Sequence, residues 1–334
     1  MTNYGLRAGM ATGIGSLPHA DPAEAAAFVL EHLPELPAAP QLSAARLAEG
    51  MLAQAVAGIP GVRVKRTGTL AVDRALFDAE GAIESGLEGN GWDGTRALLN
   101  AVTARRRPIK LQLTGPLTLG LALIKGGAPA AEAFRVAARA TAAQGRALVA
   151  LARQMAPNAG LVVFVDEPAL TGVGGGHVPL STTEVVDLVS GALASLGPNV
   201  LSGLHCCGMS DGRLALQAGP GVLSMPIDER LVDDGPALAS FLEGGGWIAW
   251  GAVPTDRPIG DDPDVLWRRV VDVWCELARA GCDPSLLRRQ ALITPSCGLA
   301  GHGLSQAAWV LRLCRQIGQR VEDQAVASRL SIGA

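Results

Sequence analysis

The chain has 334 residues, and its 28 lysines and arginines against 31 aspartates and glutamates give a formal net charge of −3. Hydrophobic residues make up 49% and charged residues 18% of the chain, which excludes an intrinsically disordered protein. The near-neutral charge gives no electrostatic reason to expect nucleic acid as a partner. The longest apolar run, around 117–124, is interrupted by glycine and too short for a bilayer, and residues 1–15 lack a secretory signal pattern. We therefore expect a cytoplasmic protein with no membrane partner.

The first third of the chain is the least regular. Residues 12–17 form a short apolar segment that predicts a strand. Asp21 predicts the start of a helix, because Pro22 suits the first helical position and Glu24 stands at capping-box spacing. From about 34 to 107 the pattern is irregular and rich in proline and glycine, with a candidate helix over 44–57. We interpret this stretch as an insertion within one domain that spans 1–334.

After Pro108, predicted strands and helices alternate regularly. Continuous apolar runs such as Leu161–Val165 are typical of parallel strands buried on both faces. Ser181, with Glu184 three residues later, predicts a capped helix start. The predicted strands are 109–113, 161–165, 200–204, 222–227, 247–253 and 291–294, and the predicted helices include 130–155, 235–243, 263–280 and 305–319. This alternation predicts a parallel α/β architecture.

The strand count favours a (β/α)8 TIM barrel over a doubly wound sheet. Seven strands are clear, and the eighth is expected within the 34–107 insertion. A doubly wound sheet is disfavoured because no glycine-rich dinucleotide turn follows the first strand. Polar residues directly after the predicted strands would converge on the C-terminal face of a barrel, where such enzymes keep their active sites. They are Ser16, Thr114, Asp166, Glu167, His205, Cys206, Cys207, Asp228, Glu229, Thr255, Asp256, Ser296 and Cys297.

Three of these residues form a candidate zinc site. His205 and Cys207 are two positions apart at a strand end, so they can face one ion while Cys206 turns away. Cys297 follows the last predicted strand and would approach from across the barrel mouth. One imidazole and two thiolates suit zinc with one position left open. The alternative interpretation is that the cysteines are small buried hydrophobic residues and the histidine a core residue.

The composition of this site indicates its chemistry. A zinc ion with two thiolate ligands carries little residual positive charge, so it suits binding of a substrate thiol as a thiolate better than production of hydroxide. Coordination deprotonates the thiol and preserves a nucleophilic sulfur. The residues therefore favour methyl transfer to a thiol over hydrolysis.

Asp166 and Glu167 follow a buried predicted strand and have two interpretations. A carboxylate there could hold a substrate ammonium group or a protonated pterin-like ring. It could equally cap a loop, and the residues alone do not choose between the two.

The order of the motifs resembles the catalytic barrel of cobalamin-independent methionine synthase, within the superfamily that also contains uroporphyrinogen decarboxylase. The resemblance covers about residues 12–318, and His205-Cys206-Cys207-Gly208 is also similar to the zinc motif of corrinoid-dependent thiol methyltransferases. The motifs that carry it are Gly13-Ile14-Gly15-Ser16-Leu17-Pro18, Leu113-Thr114-Gly115-Pro116, Val165-Asp166-Glu167-Pro168-Ala169-Leu170, His205-Cys206-Cys207 and Pro295-Ser296-Cys297-Gly298-Leu299.

This resemblance implies a zinc-dependent S-methyltransferase that converts homocysteine to methionine. It implies Zn2+ on His205, Cys207 and Cys297. It further implies that homocysteine contacts the backbone turn Ile14-Gly15-Ser16 and that Asp166, as the catalytic-site carboxylate, holds the substrate amino group.

The sequence departs from the family at several positions. Family members of this type have two barrels, and this chain is long enough for the catalytic one only. The family's second acidic residue falls at Gly172, and its zinc-binding glutamate falls near Pro226, for which Asp228 is a candidate substitute. No histidine stands in 251–256 to protonate a folate leaving group. The methyl donor therefore stays open between a methylcorrinoid, free or protein-bound, and methyltetrahydrofolate.

Two other functions remain open. A metal-free, decarboxylase-like enzyme of the same superfamily would need arginines in its pocket, and most arginines here lie in predicted helices. A non-catalytic barrel that binds zinc or a methyl carrier is the second alternative, motivated by the replacements at Gly172 and Thr255.

Overall fold

The computed structural model describes residues 4–176, 178–208, 212–258 and 262–332. Its central sheet has six parallel strands in sequential order, β3 to β8, and a separate antiparallel hairpin is formed by β1 and β2. The strands are β1 Val62–Val64, β2 Leu70–Val72, β3 Ile109–Thr114, β4 Leu161–Asp166, β5 Leu201–His205, β6 Val222–Pro226, β7 Trp247–Val253 and β8 Ala291–Pro295. The six long predicted strands are confirmed within one or two residues at each end.

Two irregular segments, residues 9–17 and 37–41, close the curled sheet, and we call them the closing segments. Ala11 pairs in parallel with Ile293 of β8, Ser16 pairs with Gln41, and Ala38 pairs with Lys110 of β3. The order β8, 9–17, 37–41, β3 completes eight positions around a barrel. The fold is thus the predicted (β/α)8 architecture, with the eighth position inside the 34–107 stretch.

Helices surround this barrel. They are α1 Pro22–His32, α2 Met51–Val56, α3 Asp93–Ala101, α4 Pro116–Gly126, α5 Ala130–Met155, α6 Thr182–Ala194, α7 Gly212–Gln217, α8 Gly235–Glu243, α9 Pro263–Arg279, α10 Pro284–Arg289 and α11 Leu304–Ile332. The predicted caps of two of them are present. Asp21 accepts hydrogen bonds from the Ala23 and Glu24 amides, and Ser181 forms a capping box with Glu184. Within the described residues, none of the helices combines the length and apolar character needed to cross a bilayer.

The structure also differs from the sequence-based elements. The candidate helix over 44–57 is a 3-10 turn followed by the short α2, because Gly50 separates them in an extended conformation. The last helix continues to Ile332, beyond the predicted end at 319. The 34–107 stretch is less irregular than expected, since it contains the hairpin and α3 in addition to a closing segment.

Apolar residues fill three regions. The largest lies between the barrel strands and the surrounding helices, and a smaller one lies under the hairpin against α4 and α5. The third lies inside the barrel, toward the N-terminal ends of its strands, and contains Met10, Leu36, Val162, Phe164, Val222, Ala249 and Leu292. Above this layer the inward-facing positions become polar, and this polar layer leads to the C-terminal face.

Candidate functional site

Three of the predicted polar residues lie side by side at the C-terminal ends of neighbouring strands. In the strand register, Thr114 of β3 is opposite Asp166 of β4, Asp166 is opposite His205 of β5, and His205 is opposite Ser224 of β6. One row across four strands therefore carries a hydroxyl, a carboxylate, an imidazole and a second hydroxyl. Because neighbouring strands lie about 4.8 Å apart, these side chains are direct neighbours.

Cys297 and Cys207 form an interacting pair next to His205. Hydrogen bonding with the Cys207 thiol, followed by the effect of the nearby His205 ring, lowers the pKa of Cys297 to about 4. The same contact with Cys297, together with burial, raises the pKa of Cys207. The contact thus favours the thiolate form of Cys297 and the thiol form of Cys207. Cys206, which lies between His205 and Cys207 in the sequence, is fully buried in the largest apolar region. The sequence had predicted that its side chain would turn away from those two residues.

The His205 ring is oriented by a hydrogen bond on one side only. Its Nδ1 lies 3.0 Å from the Ser224 hydroxyl, and the residue is 3% exposed. Its Nε2 is buried and has no hydrogen-bond partner, and the ring lies close enough to Cys297 to lower the pKa of that thiol. A buried ring nitrogen without a partner is costly unless a ligand completes it.

Asp166 is the second group in this layer with a missing partner. It is buried at the end of β4, and its Oδ1 makes no hydrogen bond. Burial raises its pKa, and the positive charge of Lys110 acts in the opposite direction. A buried carboxylate oxygen of this kind is suited to a cationic or hydrogen-bond-donating ligand.

Glu167 has a different role from its neighbour. Its carboxylate is fully buried and accepts hydrogen bonds from the amides of Leu117 and Thr118, at 2.7 and 2.8 Å, and from the Thr118 hydroxyl. These contacts cap the N-terminus of α4, where a negative charge is favourable. Glu167 is thus the carboxylate that serves as a cap, here of helix α4. The Oδ1 atom of Asp166 has no such contact and could bind a ligand.

The turn Ile14-Gly15-Ser16 lies beside the loop that carries Cys297. The Leu299 amide donates to the Ser16 carbonyl at 2.9 Å, and a Cβ added at Gly298 would overlap the Ser16 hydroxyl. Gly15 has a φ of 143°, a conformation that favours glycine. The predicted substrate turn and the Cys297 loop are therefore in contact.

The carboxylate of Asp228 is already paired with a neighbouring side chain. Its two carboxylate oxygens accept hydrogen bonds from the guanidinium of Arg230, at 2.9 and 3.0 Å, and this ion pair lowers the pKa of Asp228 to about 2. The suggestion that Asp228 replaces the missing glutamate as fourth zinc ligand has no support in this geometry, because Arg230 already uses both oxygens.

A narrow cleft of about 100 Å³ opens beside the two cysteines. Its wall includes Pro226 and Thr255, and the hydroxyl and amide of Thr255 both contact the Ser296 hydroxyl at 3.1 Å. Asp256, also on the wall, is exposed and paired with Arg257.

The residues fit zinc by their chemistry, although their arrangement is not that of a finished metal site. Across the described part of the chain, no group of three or more His, Cys, Asp or Glu side chains is placed to hold a metal ion. The two sulfurs interact with each other, so they would have to separate around an ion. The unpartnered Nε2 of His205 and the nearby Cys297 thiolate are nevertheless donor types that zinc prefers.

Three side chains that the sequence analysis left aside also belong to this region. Lys110 and Gln112 face the barrel interior beneath the Ile14-Gly15-Ser16 turn, and Ser224 orients His205. The sequence contains a pattern from which Lys110 and Gln112 could have been identified. Residues 110, 112 and 114 are polar and alternate with the apolar 109, 111 and 113, although β3 is buried on both faces.

No protein-family model and no curated protein sequence matches the chain. A solved structure does match: a B12-independent methionine synthase from Shewanella sp. W3-18-1, in complex with selenomethionine. The match covers 96% of this chain and 99% of that chain, with a TM-score of 0.64 and 13% sequence identity. At this identity the similarity shows the fold: this chain is built like that methionine synthase over nearly its whole length.

Proposed function

We propose that this chain, which has the fold of a B12-independent methionine synthase, is a zinc-dependent S-methyltransferase that methylates the thiol of homocysteine to give methionine. His205, Cys207 and Cys297 would hold the zinc ion. The observation that supports the proposal is that the interacting Cys207 and Cys297 lie next to His205, whose buried Nε2 atom has no hydrogen-bond partner.

When bound, zinc would supply one kind of chemistry: it would lower the pKa of a substrate thiol and keep the sulfur nucleophilic. The chain's own residues would do the rest. Asp166 would accept a hydrogen bond from the substrate ammonium group with its unpartnered Oδ1, and the Ile14-Gly15-Ser16 turn would contact the amino-acid end. The substrate sulfur would form a bond to the methyl carbon while the bond from that carbon to the donor breaks, the electron pair leaving with the donor.

The proposal leaves two candidates for the methyl donor. A methylcorrinoid and methyltetrahydrofolate both remain candidates. The cleft beside Cys207 and Cys297 is also lined by Thr255 and Asp256, and Asp256 would be the candidate proton donor to a folate leaving group. A corrinoid would need no proton donor there, because its leaving group is reduced cobalt.

Metal content tests the proposal first. Wild type and Cys297→Ala, purified in parallel without added metal, should contain about one zinc per chain and almost none, respectively. Cys275→Ala is the matched control, since Cys275 is exposed on α9, and it should keep its zinc. The wild type should then methylate homocysteine with methylcobalamin or with methyltetrahydrofolate. Wild-type protein that takes up no zinc on reconstitution, or turns over neither donor, would contradict the proposal.

A further inference from the structure

The most unusual buried group in the barrel is Lys110. It is 1% exposed and lies inside the barrel on β3, with its ammonium 4.8 Å from the centre of the Phe164 ring. Among the described residues it forms no ion pair with a carboxylate. Burying a lysine without a direct ion pair is expensive even though the charge of Asp166 favours its ammonium form, so the hydrogen bonds of the ammonium matter.

The ammonium of Lys110 binds the backbone of the predicted substrate turn. Its Nζ donates a hydrogen bond to the Ile14 carbonyl at 2.7 Å and lies 3.3 Å from the Gln112 side-chain oxygen. The main chain of Lys110 meanwhile pairs with the other closing segment, through Pro37 and Ala39. Lys110 therefore contacts both closing segments: its side chain binds segment 9–17 and its backbone binds segment 37–41.

Gln112 completes this support from the next inward position on β3. Its amide nitrogen donates to the Ala39 carbonyl at 2.7 Å, and its side chain lies so close to Gly15 that an added Cβ would overlap it. The closing segments make only isolated bridges to their neighbours, so their inward carbonyls lack the partners that a regular strand provides. Lys110 and Gln112 supply these partners.

We propose that Lys110 and Gln112 are positioning residues that fix the Ile14-Gly15-Ser16 turn in the shape that binds the amino-acid end of the thiol substrate. This inference rests on the proposed function and deepens it, because it separates two parts of substrate recognition. The cysteine and histidine cluster would bind the sulfur, and the supported turn would bind the amino acid. A thiol without an amino-acid end should then not depend on Lys110.

The test compares two thiols on the cobalt(II)-substituted protein, whose absorption changes when a thiolate binds the metal. In Lys110→Met, which keeps the length of the side chain and removes the ammonium, the affinity for homocysteine should fall about tenfold or more, as expected for one lost buried hydrogen bond. The affinity for 2-mercaptoethanol should stay within about twofold of wild type. Lys125→Met, an exposed lysine at the end of α4, is the matched control and should bind both thiols normally.

Gly15→Ala offers a second route to the same effect, since its added methyl group would overlap the Gln112 side chain and displace the turn from it. This variant should also lose affinity for homocysteine and keep its affinity for 2-mercaptoethanol. Hydrogen exchange of the 12–18 segment, measured without any ligand, should be faster in Lys110→Met than in wild type and Lys125→Met.

The outcomes separate the inference from the function on which it rests. The positioning role is refuted if Lys110→Met and Gly15→Ala bind homocysteine as well as wild type does. It is also refuted if these two variants lose affinity for homocysteine and for 2-mercaptoethanol to the same extent. In either case the proposed function stands. Unchanged exchange of the 12–18 segment in Lys110→Met would also refute it. If cobalt-loaded wild type binds 2-mercaptoethanol but not homocysteine, the proposed substrate is wrong, and the inference falls with it.

Discussion

Glu167 lies directly against Gly115, so closely that a Cβ at position 115 would overlap the Glu167 carboxyl group. The contact lets a carboxylate at the end of β4 reach the first amides of α4. It joins the strand that carries Asp166 to the neighbouring helix.

This contact predicts that Gly115→Ala is destabilising. The added methyl group must displace the buried carboxylate, and overpacking of this kind costs about 1–3 kcal/mol in the free energy of unfolding. Gly191→Ala on α6 is the control, because nothing lies within 4 Å of its added methyl group, and it should not destabilise. Urea denaturation of both variants checks the prediction, and equal stability of the two would contradict it.

Glu167 should also make stability depend on pH. Burial raises its pKa from 4.5 to about 7, against the opposing hydrogen bonds from Thr118 and Leu117. Between these two pH values the unfolded chain has lost the proton that the folded chain keeps, so the Glu167 contribution is complete below about pH 4.5 and declines as pH rises to about 7. The stability of wild type relative to Glu167→Gln should therefore decrease across this window. A difference that stays constant with pH would show that Glu167 titrates normally.

Ser224 should matter for zinc through His205. Its hydroxyl holds the Nδ1 side of the ring and leaves Nε2 facing the cluster. We expect Ser224→Ala to weaken zinc binding by about 10–100-fold, the usual effect of removing such a supporting hydrogen bond. Competition with a chromophoric chelator measures the affinity, and Ser240→Ala, at an exposed position on α8, is the control. Equal affinities in the two variants would be evidence against this role.

Asp166 should be selective for the amino group of the substrate. We expect Asp166→Asn to weaken binding of homocysteine by roughly 10–150-fold, since hydrogen bonds to charged groups contribute about 1.5–3 kcal/mol. Binding of 4-mercaptobutyrate, which lacks the amino group, should be unchanged. Calorimetric titration of both ligands decides the point, and an equal loss for both would mean that Asp166 acts on the site as a whole.

Asp228 should not be needed for the metal. Because Arg230 occupies both of its carboxylate oxygens, Asp228→Asn should retain the zinc content of wild type. Elemental analysis checks this directly, with Cys297→Ala as the variant that should lose its metal. Loss of zinc from Asp228→Asn would identify Asp228 as a ligand after all.

Much of the barrel was predictable from local signals. β4 is a continuous apolar run, and α6 begins at a capping box, so both follow from neighbouring residues. The closing segments are different, because their pairing with β8 and β3 is decided by distant parts of the chain. Helix α4 was not among the predicted helices, and the carboxylate that caps it, Glu167, lies beyond α5 in the sequence.

The candidate site shows the same division. His205 and Cys207 could be singled out because both stand at one strand end, on one face. Their relation to Cys297 follows only if the barrel closes, and the support from Lys110 and Gln112 depends on carbonyls that regular strands would have satisfied. Asp228 was considered without Arg230, two residues away, which binds both of its carboxylate oxygens.

The pairing of Ala11 with Ile293 also has a consequence for the time course of folding. Contacts between residues so far apart in sequence form slowly, because closing the long intervening loop costs entropy before the contact stabilises the chain. Cys297 follows β8 directly, and its loop contacts Ser16 on the first closing segment. Assembly of the cluster and closure of the barrel are therefore one event. A partly folded chain can present His205 and Cys207, but an ion that requires all three donors would be captured only by a chain that has finished folding.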